Sequence, residues 1–326
     1  MSKSLSFRIL AVLCALSSVT ACSKESTLEG KDIQIDGQSY HVEADKLVIG
    51  RECNYAPFNW TETKENENTL KISNAQGYAD GYDIQIAKKL SEKRGREVEI
   101  VKELWESLVA DCDNGAINLV LAGRTDTEER RQTVAFSDEY YRSEVVLITR
   151  TEYSAKYDGK ILGKEELTAL LKDKQVVSQA NTVEDDRIDN FVKDYGCVHA
   201  SAQTTYALAA KDVENATADF LTVERPVAKN YVQNRKGLGI IRRNQNILGI
   251  DLAELGVSIG IKKQNTGLKA AVNAALKSIS SSEREQRRTE AVLRSAAEGT
   301  SLIGPNCYPI TEVSIFTAFF LLSFYL

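Results

Sequence analysis

Ala122-Gly123-Arg124-Thr125-Asp126-Thr127-Glu128-Glu129-Arg130-Arg131-Gln132-Thr133-Val134-Ala135-Phe136-Ser137-Asp138-Glu139-Tyr140 is the stretch on which the fold turns. It follows the apolar run Asn118-Leu119-Val120-Leu121. A strand therefore ends at Gly123, and its backbone N–H groups emerge at the carboxyl end of a sheet, where open α/β sheets bind ligands. Thr125 adds a hydroxyl there. Thr127 is an N-cap residue for a short helix bearing Glu128, Glu129 and Arg130. An arginine five residues after Thr125 returns to the same spot, and its guanidinium would grip a carboxylate bidentately. The rival reading pairs Arg130 with Glu128 or Asp126 on a solvated helix.

Outward from this stretch the chain alternates strand and helix patterns. Leu47-Val48-Ile49-Gly50 reads as a buried strand, and the polar residues 61–80 as a surface loop. Asp83 opens a helix carrying Ile84, Ile86, Ala87 and Leu90, stopped at Gly95. Glu97–Lys102 is a strand. Trp105, Leu108, Val109 and Cys112 fall at helical spacing. After Val145–Thr149 the pattern restarts, with helices at Val183–Val192, Thr204–Val213 and Val227–Val232 and strands at Lys174–Ser178, Ala218–Val223 and Leu238–Ile241. A strand over Leu255–Lys262 precedes helices at Gly267–Ser278 and Ser282–Ala297. This order is that of an α/β protein with mostly parallel sheets.

The 326 residues carry 41 Lys+Arg and 46 Asp+Glu, a net charge of −5. That balance argues against a nucleic-acid partner, which demands a basic face. Two histidines argue against a His-rich metal site, and none is expected. No phosphate loop, Gly-x-Ser-x-Gly elbow or His-Glu-x-x-His occurs, so neither a cofactor nor catalysis is signalled. His41 and His199 read as surface residues.

Lys3 and Arg8 precede an apolar stretch from Ile9 to Val19, then Thr20-Ala21-Cys22. The stretch is too short to span a bilayer and suits a secretory signal. The string resembles a bacterial lipobox, which implies a lipoprotein signal peptide over 1–21, lipidation of Cys22 and a membrane anchor. The rival reading is an ordinary signal peptide with an incidental cysteine. The polar residues 22–44 read as a tether. At the other end, residues 301–326 form an apolar tail: the start of a truncated transmembrane segment, a frameshift scar, or a segment packed on the body. Of six cysteines, Cys53, Cys112, Cys197 and Cys307 remain in an oxidising compartment. One bridge is expected, Cys53–Cys112, although spacing does not fix connectivity.

The stretch around Arg130 resembles the signature of the family 3 extracellular solute-binding proteins, the polar-amino-acid receptors of ABC importers. The resemblance covers roughly residues 45–290. Arg51-Glu52-Cys53-Asn54-Tyr55-Ala56-Pro57-Phe58 is similar to the family's first-strand exit, Gly81-Tyr82-Asp83 to its helix start, and Trp105 to its aromatic eighteen residues before Gly123. Ala218-Asp219 with Glu224 matches an acidic motif of the second lobe, and Val272-Asn273 with Ala275-Leu276 the late helix. The resemblance implies a periplasmic-binding-protein type II fold, two α/β lobes joined by a two-strand hinge. Lobe 1 would be 45–145 and 251–300, and lobe 2 146–250.

It also implies site roles. Arg130 would grip an α-carboxylate with Thr125 and the Gly123 backbone. Glu224 would take the α-ammonium, Tyr55 and Trp105 would sandwich the side chain, and Thr182 would add a contact from lobe 2. Glu52 would meet an amide or cationic side chain. Three positions depart from the family pattern: Asn181 replaces a glycine, Arg124 an apolar residue and Asn118 an aspartate. Each role has a plainer rival: core aromatics for Tyr55 and Trp105, an ion-pair partner for Glu224, an N-cap for Thr182. The implied function is that of a lipid-anchored receptor facing outside the cytoplasm, which passes a polar or basic amino acid to an ABC permease. A ligand-sensing domain of a signalling protein and a dehydratase on the same fold are the alternatives.

Overall fold

The computed structural model describes residues 31–35, 37–42, 46–95, 97–247 and 255–298. The leader 1–21, Cys22, the tail 301–326 with Cys307, and the lobe boundary at 250–251 lie outside the described residues. The described residues open with β1 (Lys31–Ile35), β2 (Gln38–Val42), β3 (Leu47–Arg51), β4 (Asn54–Tyr55) and β5 (Asn59–Glu62). Next come β6 (Leu70–Lys71), β7 (Tyr78–Asp80), α1 (Tyr82–Arg94), β8 (Val98–Lys102), α2 (Leu108–Asn114) and β9 (Leu119–Val120). They are followed by α3 (Glu128–Arg131), β10 (Val134–Phe136), β11 (Tyr141–Arg142), β12 (Val145–Arg150) and α4 (Thr151–Ser154). Then β13 (Ile161–Leu162), α5 (Lys164–Leu171), β14 (Gln175–Val177), α6 (Val183–Asp186), α7 (Ile188–Tyr195) and β15 (Val198–His199). The rest is α8 (Tyr206–Glu214), β16 (Phe220–Glu224), α9 (Arg225–Asn234), β17 (Leu238–Arg243), β18 (Gly256–Val257), β19 (Gly260–Lys262), α10 (Thr266–Lys277) and α11 (Ser281–Glu298).

Two sheets carry the lobes. The first runs β10-β19-β9-β3-β8 and the second β13-β17-β12-β16-β14-β15. β3 lies parallel to β8 and β9, and β14 parallel to β15 and β16. The sheets are mixed rather than mostly parallel, because β19 and β12 run against their neighbours. β11 pairs with β18, Tyr141 opposite Val257 and Arg142 opposite Gly256. These are the two strands that join the lobes. The central strands are near-continuous apolar runs, as strands covered on both faces must be. In β16 every residue is buried.

Two glycines fix the start and end of α1. Gly81 has φ 134°, and a Cβ there would lie 2.0 Å from the Phe58 carbonyl oxygen. Gly95 closes the helix in the left-handed conformation at φ 58°.

Several expectations are corrected. The supposed tether contains the β1–β2 hairpin, seated on α10 so closely that a Cβ on Gly267 would meet the His41 carbonyl oxygen at 2.0 Å. The polar loop 61–80 includes β6 and β7 and the end of β5, part of a four-stranded sheet β4-β5-β7-β6. Its strands are too short and polar to show a period of two. Trp105 precedes its helix: Ser107 N–H bonds the Leu104 carbonyl at 3.0 Å in a turn, and α2 starts at Leu108. The helix through Phe191 divides at Arg187, where Asn190 N–H makes a tight bond to the Arg187 carbonyl at 3.1 Å. The strand over 255–262 splits because its two halves serve different sheets, β18 the hinge and β19 lobe 1.

The Cys53–Cys112 bridge is also corrected: both are free buried thiols, as is Cys197. Cys53 packs with Tyr55 and Phe58, and Cys112 in a separate cluster with Leu108 and Ile117. Burial pushes the Cys53 and Cys112 thiols up to about 11 and about 12.

Candidate ligand-binding site

The carboxyl ends of β3, β9, β14 and β16 converge on one cavity between the lobes. Glu52, Tyr55, Trp105, Gly123, Thr125, Arg130, Thr182 and Glu224 all line it. Gln179, Val183, Glu184 and Tyr206 line it as well, and the sequence reading missed all four. They come from the loop after β14, from α6 and from the start of α8. Glu184 sits in an acidic run that reads as a helix N-terminus, so nothing local marks it as a site residue.

Arg130 reaches the cavity because of its cap. Thr127 accepts the Arg130 N–H at 3.3 Å and starts α3. The pairing with Asp126 goes to Arg131 instead, at 2.7 and 2.8 Å. Arg130 is thus turned inward, with Nη1 donating to the Thr125 carbonyl at 2.9 Å and Nη2 to the Asn181 carbonyl of the other lobe at 3.1 Å. Trp105 Nε1 donates to the same carbonyl at 3.0 Å. Asn181 holds φ 61°, a conformation that asparagine tolerates better than most residues.

Gly123 has φ 63°, and a Cβ there would stand 3.0 Å from the Tyr55 ring. Its N–H donates to the Tyr140 hydroxyl at 3.1 Å, so the glycine contributes close approach rather than a free donor. Tyr140 in turn donates to Asp83 at 2.8 Å, and Asn59 donates to the other Asp83 oxygen at 2.9 Å. Burial above all pushes Asp83 up to about 7, against the pull of Arg51 and these bonds. Thr182 spends its hydroxyl locally, donating to the Gln179 carbonyl at 2.6 Å and capping α6 through Asp185 N–H at 3.2 Å. It is an N-cap that also faces the cavity.

Tyr55 stacks between Phe58 and Tyr206, with centroids 5.4 and 5.3 Å away. Its hydroxyl donates across the cavity to Glu224. Glu224 is pushed up by burial first and by the like charge of Glu184 second. Tyr206 donates to Glu184 at 3.3 Å, and Arg187 pairs with it at 3.5 Å. Glu52 accepts from Gln179 Nε2 at 3.0 Å and is pushed up to about 7, mainly by burial. The cavity thus offers one inward guanidinium, three carboxyls and aromatic faces. Among the described residues no cluster of His, Cys, Asp and Glu could hold a metal. His199 lies elsewhere, bonded to Asp185 and Asp189 at 3.0 and 2.9 Å.

Residues 47–291 match the sequence profile of the bacterial extracellular solute-binding proteins, family 3. The chain belongs to that family. This solute-binding protein is 26% identical over 272 residues to the arginine-binding extracellular protein ArtP of Bacillus subtilis, covering 82% of this chain and 90% of that one. It is 26% identical over 244 residues to the histidine-binding periplasmic protein of Salmonella typhimurium, covering 71% and 80%. Among solved structures it resembles the amino-acid ABC transporter substrate-binding protein AbpA from Streptococcus pneumoniae bound to L-arginine. The TM-score is 0.63 at 22% identity, over 77% of this chain and 96% of that one. At that identity the likeness carries the fold, which is the periplasmic-binding-protein type II fold.

Proposed function

We propose that this solute-binding protein captures a polar or basic L-amino acid between its lobes and delivers it to an ABC permease. The observation that carries the reading is the inter-lobe cavity lined by Arg130, Thr125, Glu224, Glu52, Tyr55 and Trp105. Arg130 suits an α-carboxylate, with its guanidinium bonded to the Thr125 carbonyl. Glu224 suits the α-ammonium, which would take over the acceptor now used by Tyr55. Glu52 faces the remaining end and accepts from a donor on the side chain. Trp105 and Tyr55 provide faces for its apolar or cationic part. The names of the curated relatives, arginine- and histidine-binding proteins, point to the same ligand class.

Cys22, behind its basic and apolar leader, is the proposed lipid attachment. It would hold the body in the cell envelope, outside the cytoplasm. Labelled palmitate should enter the wild-type protein and fail to enter Cys22→Ser; equal labelling of both would remove the anchor. A thermal-shift screen against the twenty L-amino acids, ornithine and citrulline tests the binding function. A millimolar ligand on a micromolar site adds about 4 kcal/mol of stability, a shift of several degrees. A folded protein stabilised by none of them would refute the reading.

A further inference from the structure

Arg124 follows Gly123 beyond the end of β9, and its surroundings are unusual. Its guanidinium carbon lies 4.0 Å from the centre of the Trp105 ring. Nη1 donates to the Trp105 carbonyl at 3.4 Å, a long bond. Arg124 is 5% exposed, and its buried Nε has no hydrogen-bond partner. Trp105 lines the ligand cavity, whereas Arg124 lines the adjoining groove with Val109, Thr127, Asn181 and Asp186. The guanidinium therefore backs the ring from outside the cavity. Arg130 and Glu52 are the charges that act on it most, the first repelling and the second attracting.

A buried guanidinium this poorly bonded acts through its field. Two consequences follow for the cavity. A cationic side chain laid on the inner face of Trp105 would sit roughly 8 Å from Arg124, twice an ordinary stacking distance, and would also meet Arg130, 5.8 Å from the centre of the same ring. Like charges repel strongly at that range when water is excluded. Arg124 also offsets part of the Glu52 charge, which is the charge a cation would seek. A carboxamide or ureido group suffers no such repulsion and still donates an N–H to Glu52.

We propose that Arg124 is a selectivity residue, which shifts the site's preference from cationic toward neutral polar side chains by standing behind Trp105. The proposal rests on the amino-acid reading of the same cavity. The test is calorimetry with L-arginine and L-citrulline, which match in length and differ in charge. In Arg124→Met the ratio of citrulline to arginine affinity should move toward arginine by about tenfold. Arg124→Gln, which keeps polarity but not charge, carries the same expectation and serves where the methionine variant does not fold. Arg124→Lys keeps the charge and should hold the wild-type ratio. An unchanged ratio in a folded neutral variant overturns the proposal. So does an equal shift in Arg124→Lys, since shape rather than charge would then decide. Wild-type protein that binds both ligands while the ratio stays fixed sinks this proposal alone. Wild-type protein that is folded yet binds no amino acid removes the underlying reading with it.

Discussion

Arg130 was legible because its distance from Thr125 and the Thr127 cap are local facts, and the structure adds that Arg131 takes the surface partner. Removing one partner of a desolvated charged pair costs about 2–5 kcal/mol of binding. Arg130→Ala is therefore expected to lose amino-acid binding by calorimetry while its circular dichroism stays native; unchanged affinity would refute the carboxylate role. Glu184, Gln179 and Tyr206 were not legible, since they meet the first-lobe residues only once the two sheets face each other. Protonation belongs to this scale too. The folded pKa of Glu52 is raised from 4.5 to about 7, and that of Glu224 is also raised. The contribution of Glu52 to the stability of the ligand-free protein is then full below about 4.5 and is lost as pH rises through about 7, and that of Glu224 is likewise lost as pH rises. A ligand ammonium needs the ionised form, so binding should release protons near neutral pH, and affinity should rise with pH across that window. Calorimetry in two buffers of different ionisation enthalpy reads the proton count; a count of zero at pH 6.5 would contradict the assignment.

Elements were legible where apolar period and caps agreed, as in α1 and β3. They were illegible where pairing is made by short polar strands. The β1–β2 hairpin is seated on the distant α10, and the β4–β7 sheet is built from strands of two to four residues, so neither carries a pattern of its own. Trp105 fell at helical spacing yet lies in the preceding turn, because its indole is held by the Asn181 carbonyl of the other lobe. Gly81 shows how tightly α1 is joined to the β4–β5 region. Gly81→Ala would drive a Cβ into the Phe58 carbonyl at a φ that alanine avoids. A loss of at least about 2 kcal/mol in urea unfolding is expected; wild-type stability would contradict that geometry. The thiols give a second check. Alkylation of the denatured, unreduced protein should label Cys53 and Cys112 alike, whereas a peptide pair linked through these two residues would restore the bridge expected from their compartment.

At the scale of the whole molecule, two sheets of mixed direction are joined by β11 and β18, and nearly every polar group of the cavity has a bond across or along the cleft. Trp105, Arg130, Tyr55 and Glu52 each bond a residue of the second lobe. α11 spans both lobes behind the hinge. Its Arg294 pairs with Asp80 at 2.8 Å, and its Ser295 carbonyl accepts from Asn230 at 3.3 Å. Closure around the proposed ligand would be a motion of two bodies that share one helix and two strands, with the ligand's charges replacing bonds such as Tyr55 to Glu224. The central claim is that this cavity is an amino-acid site gripped through Arg130. Titration calorimetry of the protein with L-amino acids, beside Arg130→Ala, tests it most directly. The account predicts one-to-one binding of at least one polar or basic L-amino acid by the wild-type protein, and none by the variant. A folded wild-type protein that binds no amino acid, or a variant that binds as tightly as wild type, would contradict it.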